Sequence, residues 1–229
     1  MRMRHKPNLE RRLKNCADLK VEVPDNMKGS WRGSYTNLFL EIGCGKGSFT
    51  CDLAKKETSA MLVAIEKVPD AMVMAMEKAK EAGLENVRFI DTDAKLLKDI
   101  FADGEVDRIY LNFSDPWPKS RDAKFRLTAP AFLRLYADVL PLGGEIRFKT
   151  DNRPLFDWSL EQLEAEGWEL KDVTDDLKSE IMTDYEKRFV AQGVKINGVT
   201  AIKKENTKST KDGVPERLRN ASLSDARGC

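Results

Sequence analysis

Histidine is almost missing from this chain. His5 is the only one in 229 residues, and it sits in a basic terminus where it makes a poor general base. Cysteine is scarce too: Cys16, Cys44, Cys51 and Cys229, with no C-x-x-C spacing. That excludes zinc fingers, c-type haem and iron–sulfur clusters, and no metal site is expected. Net charge is missing as well, since 39 Lys and Arg against 38 Asp and Glu leave +1. Attraction of the whole protein to nucleic acid or membrane is thereby excluded, and any basic binding surface must be local. No apolar run approaches the ~18 residues that span a bilayer. The terminus Met1–Lys6 carries charge with no apolar stretch behind it, which argues against a secretory signal. The expected compartment is a reducing cytoplasm.

What is present is a packing chain. The hydrophobic fraction is 41%, with ten Phe and four Trp, too much for a disordered chain and enough for one α/β domain. Three zones follow. Residues 1–35 read as a basic, irregular segment, with Arg2, Arg4, Lys6, Arg11, Arg12 and Lys14 among the first fourteen. Residues 36–204 alternate short apolar runs with helical patterns. Residues 205–229 are polar and lack a core-forming pattern, so disorder or weak helicity is expected there.

In the middle zone, strands are predicted at Leu38–Ile42, Met61–Ile65, Val87–Ile90, Val106–Phe113, Gly144–Thr150, Trp168–Thr174 and Val194–Ile202. Helices are predicted over Ser48–Lys56, from Pro69 to Gly83, briefly after Asp93, over Thr128–Val139, and from Asn152 to Gly167. Strands alternating with helices give right-handed βαβ units, so the fold class is α/β: a mostly parallel, twisted sheet of about seven strands with helices on both faces. Ligands of such sheets bind at the carboxyl edge of the strands.

That edge collects acids. The first strand runs through Glu41 into Gly43-Cys44-Gly45-Lys46-Gly47, a G-x-G-x-G turn rather than the dinucleotide G-x-G-x-x-G. Glu66 follows the second strand and suits ribose hydroxyls. Asp91 and Asp93 follow the third, Asp115 the fourth and Asp151 the fifth. Acids at all five strand ends repel a pyrophosphate and call for a cation or several donors. S-adenosyl-L-methionine fits: it has a sulfonium, an ammonium, ribose hydroxyls and an adenine amine, and no phosphate. Cys44 is read as turn filler, because its acidic neighbours oppose a thiolate.

The most pointed motif is Ser114-Asp115-Pro116-Trp117-Pro118-Lys119. Two prolines stiffen the loop and hold Asp115 and Trp117 above the sheet edge. A ring that stacks beside a carboxylate that accepts N–H bonds suits a nucleobase, and guanine offers N1–H and N2–H₂. Lys119, Arg121, Lys124 and Arg126, with Phe125 among them, then supply a local basic surface for RNA phosphates.

Glu41–Gly47, Asn112-Phe-Ser-Asp-Pro-Trp-Pro-Lys119, Phe148-Lys-Thr-Asp-Asn-Arg153 and Thr183-Asp-Tyr-Glu186 together resemble the four signature stretches of the bacterial tRNA (guanine-N7)-methyltransferases, over roughly residues 1–203. The resemblance implies a Rossmann-like class I methyltransferase fold and methyl transfer from S-adenosyl-L-methionine, leaving S-adenosyl-L-homocysteine, to N7 of guanine 46 in the tRNA variable loop. It implies that Glu41, Glu66, Asp93 and Asp115, with Gly43, Gly45 and Gly47, hold the cofactor, and that Asp115 is catalytic. Lys119, Asp151, Thr183, Asp184, Tyr185 and Glu186 would contact the guanosine, Trp117 would stack on a base, and Arg121, Lys124, Phe125 and Arg126 would contact RNA. The chain departs from the resemblance at Asp122 and Phe125, where the family commonly carries His and Arg.

Guanine N7 bears an in-plane lone pair and no proton, so no general base is needed. The site's tasks are alignment and electrostatics. Another S-adenosylmethionine-dependent nucleic-acid methyltransferase, such as one acting on adenine N6, is the alternative reading. A nicotinamide dehydrogenase is opposed by the glycine spacing, and a non-catalytic RNA-binding module by the full set of acids. tRNA is the expected partner, with no membrane association, and the pattern fits a monomer or a homodimer equally.

Overall fold

The computed structural model describes residues 8–22 and 27–212. Seven strands form one sheet: β1 (Asn37–Ile42), β2 (Ala60–Ile65), β3 (Val87–Ile90), β4 (Arg108–Asn112), β5 (Glu145–Thr150), β6 (Glu169–Thr174) and β7 (Asn197–Ile202). Their order is β3-β2-β1-β4-β5-β7-β6. β1 to β5 pair in parallel, β7 runs antiparallel to β5, and β6 antiparallel to β7. The sheet grows outward from β1 through β2 to β3, then restarts at β4 on the other side of β1. A crevice opens at such a switch, above the carboxyl ends of β1 and β4.

The helices are α1 (Leu9–Asn15), α2 (Ser48–Lys56), α3 (Pro69–Glu81), the single turn α4 (Leu97–Ile100), α5 (Pro130–Val139), α6 (Arg153–Ala165) and α7 (Asp184–Val190). Successive strand residues face opposite sides. Leu38, Leu40 and Ile42 of β1 therefore pack with Phe132, Leu133 and Tyr136 of α5 and Leu155 and Phe156 of α6. Phe39 turns the other way, to Phe49 and Leu53 of α2 and Met72 and Met76 of α3. Glu41 shares the Phe39 face, so the same alternation drives its carboxyl into the layer beneath α2.

Gly47 opens α2 with φ 74°, and a Cβ there would stand 2.5 Å from Ala75 Cβ of α3. Only glycine lets α2 and α3 approach at this point. Asn152 caps α6 by accepting the Leu155 N–H at 2.8 Å, as its sequence pattern predicts.

Both flanking zones contribute more structure than their composition suggests. The segment expected to be irregular contains α1, which packs on α3 and pairs Arg12 with Glu77 at 2.5–2.6 Å. It also contributes Trp31, 1% exposed, whose indole N–H donates to the Ile100 carbonyl at 2.8 Å. At the other end, residues 205–212 dock where disorder was expected. Thr207 is buried and donates to the Gly167 carbonyl at 2.9 Å, while the Lys208 N–H donates to the Glu166 carbonyl at 2.9 Å. Gly167 allows this: a Cβ would lie 2.6 Å from the Asn206 carbonyl oxygen. His5, Cys229 and the rest of the tail lie outside the described residues.

Candidate active site

The ends of β1 to β4 border a cleft of about 480 Å³. Gly43, Glu66, Asp93, Asn112, Phe113, Asp115, Trp117 and Phe125 are among its walls. Glu66 organises one side. Its Oε2 accepts the Gly45 N–H and its Oε1 accepts the Val68 N–H, both at 2.9 Å, so the carboxylate holds the glycine turn and the start of α3 in place. Carboxylate oxygens have further lone pairs, and Glu66 keeps 8% of its surface open on the cleft side. Asp93 is exposed and caps the short 3₁₀ turn Ala94–Leu96, accepting the Lys95 N–H at 2.9 Å. Asp115 is exposed at the rim, one residue before Pro116.

Glu41 occupies a different position from the one its place beside the turn suggests. It is buried beneath the turn. Oε2 accepts from the Thr50 hydroxyl of α2 and Oε1 accepts from Asn112 Nδ2 at 2.9 Å. Burial pushes its carboxyl pKa up, while the bonds from Thr50 and Asn112 and the charge of Lys149 pull back. Its charge is felt from below. Cys44, packed above it, has its thiol pKa raised well above the ordinary value by burial and by the charges of Glu41 and Glu66, so it is inert filler.

A second hollow continues from the first across Gly43, Asn112 and Phe113, and α7 roofs it. Sequence reasoning found Thr183–Glu186 as a motif and missed the helix. Yet Thr-x-x-Glu is the pattern of a capping box: the Thr183 hydroxyl accepts the Glu186 N–H at 2.9 Å and Glu186 Oε2 accepts the Thr183 N–H at 3.3 Å. Glu186 is fully buried and pairs with Lys149 of β5 at 2.6 Å, so it braces the site from within. Burial lowers the Lys149 pKa and Glu186 counteracts that. Lys149 Nζ also donates to the Ile181 carbonyl at 3.0 Å, tying β5 to the chain before α7.

The exposed residues of the motif face other partners. Asp184 accepts from the Ser48 hydroxyl at 2.5 Å and pairs with Lys78 at 3.2 Å, which clips α7 to the start of α2 and the last turn of α3 and lowers the Asp184 pKa. The Tyr185 hydroxyl donates to Asp151 Oδ2 at 3.1 Å, and its ring lies 5.1 Å from Phe113 and 4.2 Å from Phe189. The structure thus joins Asp151 and Tyr185 and holds Thr183 and Asp184 above the glycine turn.

The basic turn divides. Lys119, Arg121 and Lys124 are exposed around the 3₁₀ turn Ser120–Phe125. Phe125 instead faces Trp117 at 5.3 Å and walls the cleft. Arg126 turns inward to the loop carrying Trp117. Ser48 and Thr50 were given no site role from the sequence, and Asn112 and Lys149 stood only inside signature stretches, with no role of their own. The one available signal was a lysine at an inward position of a buried strand, Lys149.

The fold and the acid-lined crevice define the protein as a methyltransferase of the Rossmann-like class I type. Residues 35–199 match the family described as "Putative methyltransferase". A tRNA (guanine-N(7)-)-methyltransferase from Exiguobacterium sp. is 42% identical over 210 residues, covering 88% of this chain and 98% of that protein. One from Lachnoclostridium phytofermentans is 44% identical over 197 residues, covering 82% and 92%. The solved structure of the 16S rRNA methyltransferase KamB shares the fold, with TM-score 0.61 at 18% identity over 77% of this chain and 92% of that one. The chain belongs to the tRNA (guanine-N7)-methyltransferase family.

Proposed function

We propose that the protein transfers a methyl group from S-adenosyl-L-methionine to N7 of guanosine 46 in the variable loop of tRNA. The observation that carries this reading is the convergence of Glu66, Asp93, Asp115 and Trp117 on one cleft that continues beneath Thr183–Tyr185. The donor set fits the cofactor. The glycine turn is braced by a carboxylate, which disfavours a phosphate and suits hydroxyl and cationic groups. Glu66 and Asp93 would hold the ribose and adenine side, and the glycine turn with the Glu41 charge beneath it the cationic side. Once bound, the cofactor supplies an electrophilic methyl on a sulfonium.

The chain's own residues supply position and charge. Guanine N7 needs no deprotonation, so a site with no histidine among the described residues is competent. Asp115, exposed at the cleft rim on a proline-stiffened loop, would accept N–H bonds from the guanine edge and offset the positive charge that builds on the purine. Asp151, oriented by the Tyr185 hydroxyl, would be a second acceptor. Holding the base in line supplies the remaining advantage, on the order of 7–11 kcal/mol for ideal alignment. Lys119, Arg121 and Lys124 would hold the RNA backbone while the base is splayed into the cleft.

The test is to incubate unmodified tRNA transcripts with methyl-labelled cofactor and digest them to nucleosides. Label in 7-methylguanosine is expected. Label in N6-methyladenosine, or none, overturns the reading.

A further inference from the structure

Arg126 belongs to the basic turn, yet it does not face solvent as its neighbours do. Its Nε donates to the Pro116 carbonyl and its Nη2 to the Trp117 carbonyl, each at 3.0 Å. Its guanidinium lies over the Trp158 ring, 4.4 Å from the centroid. The two carbonyls it grips belong to the two peptide groups that flank the Trp117 Cα. Trp117 holds φ 42°, a left-handed conformation that a residue with a Cβ adopts only when its surroundings enforce it. The fork of one guanidinium therefore pins both sides of a strained residue, while Trp158 of α6 provides the shelf that keeps the fork flat.

The pinned residue matters to the site. Trp117 and Phe125 meet at 5.3 Å and form one wall of the cleft, with Asp115 two residues upstream on the same loop.

We infer that Arg126 is a positioning residue for the Asp115–Trp117 loop and the Trp117–Phe125 wall of the cofactor cleft, and not a contact to an RNA phosphate. The inference rests on the function proposed above for the cleft. It separates Arg126 from Arg121 and Lys124, which are exposed. It also gives Phe125 a task in this chain: closing the cleft beside Trp117.

Arg126→Lys decides the matter, because it keeps the charge and removes the fork. Arg126→Met removes both. For each variant, S-adenosyl-L-homocysteine binding is measured by calorimetry without RNA, and tRNA binding is measured as a function of salt. The expected result is a loss of cofactor affinity of about tenfold or more in both variants, the scale of a charge-assisted hydrogen bond. Lysine should fail to rescue it, kcat should fall, and the salt slope for tRNA should stay at the wild-type value. A phosphate contact would give the reverse: Arg126→Lys close to wild type, and Arg126→Met with normal cofactor affinity and a slope reduced by about one. That result overturns the inference. Should both variants fail to fold, Trp158→Leu takes their place, since it removes the shelf and leaves the arginine. Weaker cofactor binding with an unchanged salt slope supports the inference, and unchanged cofactor binding overturns it. Failure of the wild-type protein to bind S-adenosyl-L-homocysteine would refute the proposed function itself, a separate outcome.

Discussion

Replacing Glu66 by alanine should remove two things at once: the backbone brace its carboxylate makes and the ribose contact proposed for it. Each oxygen accepts one backbone N–H at 2.9 Å, from Gly45 on one side and Val68 on the other. Losing that brace leaves two donors unpaired. Both bonds are partly buried, so each donor carries part of the cost. One partly buried N–H left without an acceptor costs about 1–3 kcal/mol. For a chain of this size that lowers the melting temperature by roughly 2–4 °C per kcal/mol. In the ligand-bound state a second loss adds to it: a carboxylate bond to a ribose hydroxyl, about 1.5–3 kcal/mol, or at least a tenfold weaker Kd. Glu66→Gln should lie between, because its carbonyl oxygen still braces one N–H while its amide faces the other. Thermal melts of the apo protein report the brace, and calorimetry with S-adenosyl-L-homocysteine reports both roles. Unchanged affinity in a folded Glu66→Ala protein would refute the reasoning, as would a melting temperature equal to wild type.

Other perturbations give equally definite outcomes. Asp115→Asn keeps shape but sets a donor against guanine N1–H, so the single-turnover methylation rate should fall about 10²-fold or more. Raising the pH should not restore it, because no proton is abstracted. Neutralising Arg121 and Lys124 together should reduce the salt slope of tRNA binding by about two and leave cofactor affinity intact. An unchanged slope would make the turn ordinary surface. Glu41→Gln should change the pH dependence of stability. The buried carboxyl has a raised folded pKa, so its favourable contribution is present below the ordinary glutamate pKa of about 4.3 and is lost as pH rises through the folded value. The variant should therefore gain stability relative to wild type across that window in paired melts, and a constant difference would contradict the assignment.

The architecture was largely visible in the apolar runs because β1 to β4 are short, mostly buried and closed by a turn signal. The run Ser48–Lys56 is α2 to the residue, and Pro69 and Asn152 mark the starts of α3 and α6. Composition misled at both ends. Trp31 and Thr207 are anchored by partners far away in sequence, Ile100 and Gly167 among them, and local polarity cannot reveal such bonds. In the site, the strand-end acids were legible because parallel topology forces strand ends together. Their individual orientations were not. Glu41 lies on the inward face of β1 and meets Thr50, and Glu186 turns inward to Lys149, because side-chain direction follows strand alternation and helix phase in three dimensions. Arg126 reads as one more charge in a basic run, and only the fold shows that its partners are two backbone carbonyls.

The central claim is the target atom, and 7-methylguanosine permits a direct reading of it. Methylation at N7 makes the base labile to reduction, after which aniline cleaves the strand at that nucleotide. End-labelled, unmodified tRNA treated with the enzyme and S-adenosyl-L-methionine, then reduced and exposed to aniline, should be cut once, at position 46. Substituting guanosine 46 in the transcript should abolish the cut. An uncut strand that nonetheless carries labelled methyl, or a cut at another position, would contradict the account.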